Sequence, residues 1–390
     1  MSEDGIRRVE SDADVDAYVR LANRSYGGTL DETRGFVDYA GAANLRLVGR
    51  GPELLSGLAL YRMGQWFGGR SVPMWGVAAV AVDPALRGRG VGTRMMCDLV
   101  REMRAEGVAL SSLFPAVQPL YRRAGWERAG TTHLVRLRLD RVAPLDRALP
   151  VRRATEADEP LLERLESMRA AACDGNLDRC AAMRRRARAP RGNTTEAYVV
   201  EEDGVPTGFV RLRNMRSEGP NALHVTDVVA LTPGAAVRLA TLLADQAAQV
   251  EDARWTSHPT DPLLAAVHSP DHDVKLGTVW MTRIVHLEAA LTARGYAPGV
   301  GGEVQLHVED DVCPENAGAW TLSVEGGAAA VRRGGAGRVR LHVRELATIY
   351  TGHVPPHLLA RRRPIDGSDA ELRLLGALFA GGDPWMQDGF

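Results

Sequence analysis

The sequence predicts a mixed α/β and α+β fold, with two copies of one strand-rich unit and a smaller third region. Three observations lead there. IRRVESDAD near the start is matched by VRRATEAD from Val151, so the opening of the chain recurs. Each copy carries an apolar run that passes into a turn and then an amphipathic stretch, VAAVAVDPALRGRGVGTRMMCDLV in the first and ALHVTDVVALTPGAAVRLATLLADQA in the second. The last part changes to short alternating segments, GEVQLHVED, WTLSVEG, AAAVRR and RVRLHV. The expected boundaries are 1–145, 146–289 and 290–390.

The first unit opens with an edge strand, IRRV, and an amphipathic helix with Ser11 and Asp12 as candidate caps. NLRLVG, LLSGLALYRMGQWF and VAAVAV follow as strands. A glycine-rich turn and a helix come next, then VALSSLF and TTHLVRLRLD as the closing strands. In the second unit VRRATEADEPLLERLESMR repeats the opening, and AYVVEEDGVPTGFVRLRN reads as a hairpin. Its strand–turn–helix has LTPGAAVR in place of the glycine spacing, so the scaffold is expected to persist without a phosphate site. The third region reads as short antiparallel strands followed by a helix. Its tail, SDAELRLLGALFAGGDPWMQDGF, reads as a helix ending at Gly381-Gly382 and a short apolar close.

Composition narrows the function. With 48 basic and 49 acidic side chains the formal net charge is -1, unlike the basic excess of a dedicated nucleic-acid binder. No apolar run reaches membrane-spanning length, and the N-terminus lacks the apolar core of a signal peptide, so a cytoplasmic protein is expected. The four cysteines read as free thiols. The basic run at 183–191 lacks aromatic interleaving and reads as a solvated helix end. His268, Asp271 and His272 in HSPDHD read as a polar loop, and no metal site is expected.

The chemistry concentrates in Arg87, Gly88, Arg89, Gly90, Val91, Gly92 and Thr93. Glycines let an anion approach backbone N–H groups, and the following helix presents its unpaired N–H groups at the same point. Arg87 or Arg89 adds charge-assisted bonds to phosphate oxygens. The lysine of a P-loop and the third glycine of a dinucleotide fingerprint are both missing.

R-x-x-G-x-G after a strand ending in VDP resembles the coenzyme A pyrophosphate loop of GCN5-related N-acetyltransferases, and LYRRAGWERAG resembles the closing motif of that superfamily. Over its whole length the chain resembles the enhanced intracellular survival (Eis) acetyltransferases, with tandem acetyltransferase-like domains followed by a sterol-carrier-protein-like domain. The resemblance implies an active first domain using acetyl-CoA as acyl donor, a structural second domain, and a third that delivers the chain end. It implies that the backbone of Val80, Ala81 and Val82 holds the pantetheine arm, that Tyr121 is the general acid and that the Phe390 α-carboxylate is the general base. It also implies a homohexamer and primary-amine acceptors such as aminoglycosides or related polyamines. Where family members carry an acidic residue before the terminal phenylalanine, this chain has Gly389, with Asp388 one position earlier.

Tyr26, Asp31 and Glu32 in SYGGTLDE, together with Asp388, are candidate pocket residues. Trp66 and Phe67 join them on the reading that GQWFGG is an exposed turn. Trp66, Phe67, Met74 and Trp75 either line a cavity or fill a core. Two alternatives stand beside the leading function. One is acetylation of an endogenous small amine or a protein lysine. The other is a non-catalytic acyl-CoA- or lipid-binding module.

Overall fold

The computed structural model describes residues 5–49, 54–142, 146–190, 193–215, 222–267 and 272–390. The first repeat runs β1 (Arg7–Arg8), α1 (Asp12–Tyr26), α2 (Leu30–Ala40), β2 (Leu45–Val48), β3 (Ser56–Phe67), β4 (Arg70–Val82), α3 (Val91–Ala105), β5 (Leu110–Leu113), α4 (Gln118–Arg123) and β6 (Glu127–Arg138). The second runs β7 (Val151–Arg153), α5 (Glu159–Ala171), β8 (Leu177–Asp178), α6 (Ala181–Arg188), β9 (Glu196–Glu202), β10 (Val205–Met215), β11 (Ala222–Ala230), α7 (Pro233–Ala244), β12 (Asp252–Ser257), α8 (Pro262–Ala266) and β13 (His272–Ile284).

Local chemistry explains where the early helices start. The Ser11 hydroxyl accepts from the Asp14 N–H at the head of α1. Thr29 and Glu32 cap each other reciprocally at the head of α2, with the glycines of SYGGT carrying the chain between the two helices.

Both repeats lie in one sheet, in the order β1-β2-β3-β4-β5-β13-β6-β12-β11-β10-β9-β7. Each repeat gives its last strand to the other. β13 pairs antiparallel with β5, β6 pairs antiparallel with β12, and the two exchanged strands pair with each other at the centre. The order therefore reads the same from either edge, which agrees with the duplicated sequence. The strand expected to close the first unit instead pairs with β12 and β13 of the second.

The third region comprises α9 (Leu287–Ala293), β14 (Gly302–Glu309), β15 (Gly318–Glu325), β16 (Ala328–Arg333), β17 (Val339–His342), α10 (Val343–Tyr350), α11 (Pro356–Leu359) and α12 (Asp369–Leu378). Its sheet has the order β16-β15-β14-β17. The expectation of antiparallel strands is corrected at β17, which pairs parallel to β14 from Leu306↔Val339 to Glu309↔His342. The chain crosses from β16 past β15 and β14 to the far edge of the sheet and arrives in the same direction as β14. The tail helix ends at Leu378, ahead of Gly381-Gly382.

The third region is fastened to both repeats by buried groups. Arg283 on β13 and Asp310 after β14 form an ion pair with side chains at 0% and 1% exposure. Arg294 is enclosed by the rings of Phe67, Tyr296, Tyr350 and Phe379. Phe67 is thus a core residue at 0% exposure, which corrects its reading as a pocket wall. The Gly68-Gly69 turn that follows it packs against Gly295. Met74 and Trp75 are core residues too. Among the described residues no helix is long and apolar enough to cross a membrane.

Candidate active site

β4 parallels β5 only from Met74↔Leu110 to Val77↔Leu113, and beyond Val77 the two strands part. A register shift opposite Gly57 and Ala59 bends β4 there, and Ala79 sits at φ 48, rare for a residue with a Cβ. The Tyr18 hydroxyl donates to the Ala79 carbonyl at 2.7 Å and holds the bend. The Tyr26 hydroxyl donates to the Val80 carbonyl, also at 2.7 Å. Val80, Ala81 and Val82 therefore lie on a strand segment without a β5 partner.

Asp83 caps the short turn after this segment by accepting from the Ala85 N–H. Gly88 and Gly90 follow at φ 78 and 79, and a Cβ at Gly88 would meet nothing within 4 Å. Gly90 is the left-handed N-cap of α3, with no side-chain cap. The first N–H groups of α3, at Val91, Gly92 and Thr93, are those that lack carbonyl partners within a helix. The exposed Arg87 and Arg89 lie beside them, so the turn has the groups that an anion would need. Gly92 has a second duty, since a Cβ there would lie 2.9 Å from Leu120 Cδ1 and 3.2 Å from Val82 Cγ2. Its smallness serves the packing of α3 as well as the turn.

Tyr121 projects from α4 into the core formed by Val77, Met95, Met96, Leu99 and Trp126. Burial pushes its phenol well above the ordinary tyrosine value, and nearby Tyr26 adds to the rise. Tyr121 is therefore a protonated donor at neutral pH. Cys97 lies within α3, and burial raises its thiol too, which works against a thiolate nucleophile.

The chain end reaches the point where β4 and β5 part. The Phe390 ring packs edge-on to Phe114 at 5.3 Å and to Tyr61 at 6.2 Å, and Tyr61 meets Phe36 at 6.5 Å. A Cβ at Gly76 would lie 2.7 Å from the Phe390 ring, so the glycine in β4 is what admits it. Phe36, Tyr61 and Phe114 were missed in the sequence. A glycine inside a strong strand pattern was the available signal for a close approach at Gly76.

The other pocket candidates scatter. Asp31 and Glu32 are exposed on the first turn of α2, and Glu32 is used in the capping box. Asp388 is ion-paired with Arg179 at 3.0 Å. Trp66 is half-buried, and its backbone bonds to Gly175 and Asn176 of the second repeat. His268 and Asp271 lie outside the described residues.

Models of the acetyltransferase (GNAT) domain match residues 5–129 and 175–284, and the sterol carrier protein domain matches 287–387. An uncharacterized N-acetyltransferase of Streptomyces avermitilis is 30% identical over 74% of each chain. The chain belongs to the GCN5-related N-acetyltransferase family. A GCN5-related N-acetyltransferase from Anabaena variabilis superposes with a TM-score of 0.93 at 29% identity, covering 99% of this chain and 100% of that one. One from Kribbella flavida gives 0.85 at 29% identity over 99% of each chain. Eis1 from Mycobacterium abscessus shares the fold at 24% identity, with a TM-score of 0.80 over 99% of each chain.

This acetyltransferase is an acetyl-CoA-dependent enzyme. The open turn at α3 presents the first N–H groups of a helix, and Val80, Ala81 and Val82 of β4 present a strand edge that β5 does not cover. The equivalent turn of the second repeat is closed. Thr232 caps α7 by accepting from the Ala235 N–H, and its hydroxyl donates to Glu202 at 2.6 Å. The Glu202 carboxylate stands 2.3 Å from where a Gly234 Cβ would be. A carboxylate already occupies the favourable end of that helix and repels phosphate. Calorimetry should find one acetyl-CoA site per chain, and two equivalent sites would contradict this assignment.

Below the chain end, Glu166 lies in a buried group with Arg169, Arg179, Asp227 and Asp388. Burial raises its carboxyl to about 7, against the pull of Arg179. A carboxyl raised on folding stabilises the fold fully below its ordinary value of about 4.3 and loses that contribution as pH rises through about 7. The melting temperature of the wild type should therefore fall between pH 5 and pH 8 relative to Glu166→Gln, whose amide does not titrate.

Proposed function

We propose that this acetyltransferase is Eis-like. In this reading it transfers acetyl directly to a primary amine, with the Phe390 carboxylate as general base and Tyr121 as general acid. The observation that carries the reading is the docking of Phe390 on Gly76 and Phe114, at the point where β4 and β5 part. The terminal carboxylate takes a proton from the acceptor amine, directly or through one water. A backbone N–H near Val80 stabilises the thioester oxygen as it gains charge. Tyr121 protonates the departing thiolate. A homohexamer belongs to the same reading, and sedimentation giving six chains is its check.

Aminoglycosides or related polyamines are the leading acceptors, entering beside the aromatic wall of Phe36, Tyr61 and Phe114. A second acceptor class, an endogenous small amine or a protein lysine, is favoured by the charges around the wall. Glu32 and Asp388 are engaged elsewhere, and Arg186 is the cation that acts on Tyr61. Steady-state thiol release from acetyl-CoA, screened over aminoglycosides, linear polyamines and lysine peptides, separates the two. Turnover confined to singly charged amines would overturn the polyamine assignment.

A further inference from the structure

The second repeat has lost its phosphate turn, yet it grips the last residues of the chain at successive points. The Trp385 N–H donates to the Asp174 carbonyl at 3.1 Å, and Asn176 Nδ2 donates back to the Trp385 carbonyl at 3.1 Å. Gln387 Nε2 donates to Asp227 Oδ1 at 3.0 Å. Asp388 Oδ2 accepts from Arg179 Nε at 3.0 Å, while Arg179 Nη1 donates to Asp227 Oδ2 at 2.5 Å. Asp174, Asn176, Arg179 and Asp227 all come from the second repeat. Thr131, on the exchanged strand β6, adds a backbone bridge, with Met386 N–H donating to its carbonyl at 3.0 Å.

Arg179 is the centre of this group. Its side chain is 3% exposed, and its guanidinium is shared between Asp227 on β11 and Asp388 on the tail. Beyond Asp388 the chain is held by the packing of the Phe390 ring on Gly76, Tyr61 and Phe114, while a Cβ at Gly389 would meet nothing within 4 Å. Asp388 is thus the last side chain tethered by an ion pair before the terminal carboxylate, which lies within two residues' reach, about 7 Å.

We infer that the second repeat serves catalysis as the holder of the chain end, with Arg179 a positioning residue that fixes the Phe390 carboxylate through Asp388. The inference rests on the terminal-base reading above. It assigns a task to a domain that carries no cosubstrate turn of its own. It also explains why Asp388, expected to face substrate, is spent inside the protein: a charge-assisted bond from a buried guanidinium fixes where its carboxylate sits. Displacing a reacting group by about 1 Å costs on the order of 100-fold in rate, so a loosened tail reads out in kcat.

The test uses Asp388→Asn in the full-length protein, because Arg179 keeps Asp227 and the buried cation is not orphaned. Two readouts are taken: release of Phe390 by carboxypeptidase A, followed by mass spectrometry, and steady-state kinetics. Release is expected to speed up about tenfold or more, and kcat to fall about 10- to 100-fold. The KM for acetyl-CoA should be unchanged, and Asp388→Glu should restore part of kcat. A release rate equal to wild type overturns the clasp, whatever kcat does. Faster release with an unchanged kcat supports the clasp and overturns the terminal base. A rise in amine KM alone, with release and kcat unchanged, returns Asp388 to the substrate wall and overturns the inference.

Discussion

Adding three or four residues after Phe390 is expected to lower kcat by about 100-fold or more while acetyl-CoA affinity stays within about twofold. An extension turns the terminal carboxylate into an amide, which has no basicity to offer the acceptor amine, and removal of a general base costs about 100- to 10,000-fold. It also pushes new atoms into the space where the ring meets Gly76, Tyr61 and Phe114. The turn at Gly88 and Gly90, proposed to hold acetyl-CoA, belongs to a different part of the first repeat, so cosubstrate binding serves as the internal control. Steady-state turnover and calorimetry on the same preparation check both halves. Equal turnover in the extended protein rules out the terminal base.

Tyr121→Phe is expected to lower kcat about 100-fold with the fold intact. The ring stays in its place among Val77, Met95 and Trp126, so the packing is preserved. Only the hydroxyl is lost. Because burial raises the Tyr121 phenol well above the ordinary value near 10, its deprotonation should not limit the wild-type rate below about pH 10. Measured from pH 6 to pH 9, the mutant should therefore lie below wild type by a constant factor. A mutant with wild-type kcat would remove Tyr121 from the acid role.

The open turn before α3 was legible because it depends on local chemistry. The run from Arg87 to Thr93 needs only glycines and a helix start to form an anion-binding turn, and both are written in adjacent residues. LTPG in the second repeat was likewise readable as a lost turn, although the carboxylate that closes it comes from Glu202, at a distance in sequence. Phe67 was misread because GQWFGG looks like an exposed turn. Its side chain is covered by Tyr350 and Arg294, which belong to a region more than two hundred residues later.

The sequence alone determined the duplication, the position of the open glycine turn before α3 and the three-part order of the chain, since each is carried by neighbouring residues or by an internal match. Tertiary structure decided what those parts do together. The exchange of β6 and β13 depends on strand edges that offer the same backbone groups to any partner, so no pattern along either strand announces it. The joining of Arg179 to Asp388 across 209 positions depends on the burial of a guanidinium with three acidic side chains, and a lone arginine in the sequence carries no sign of which acids will enclose it.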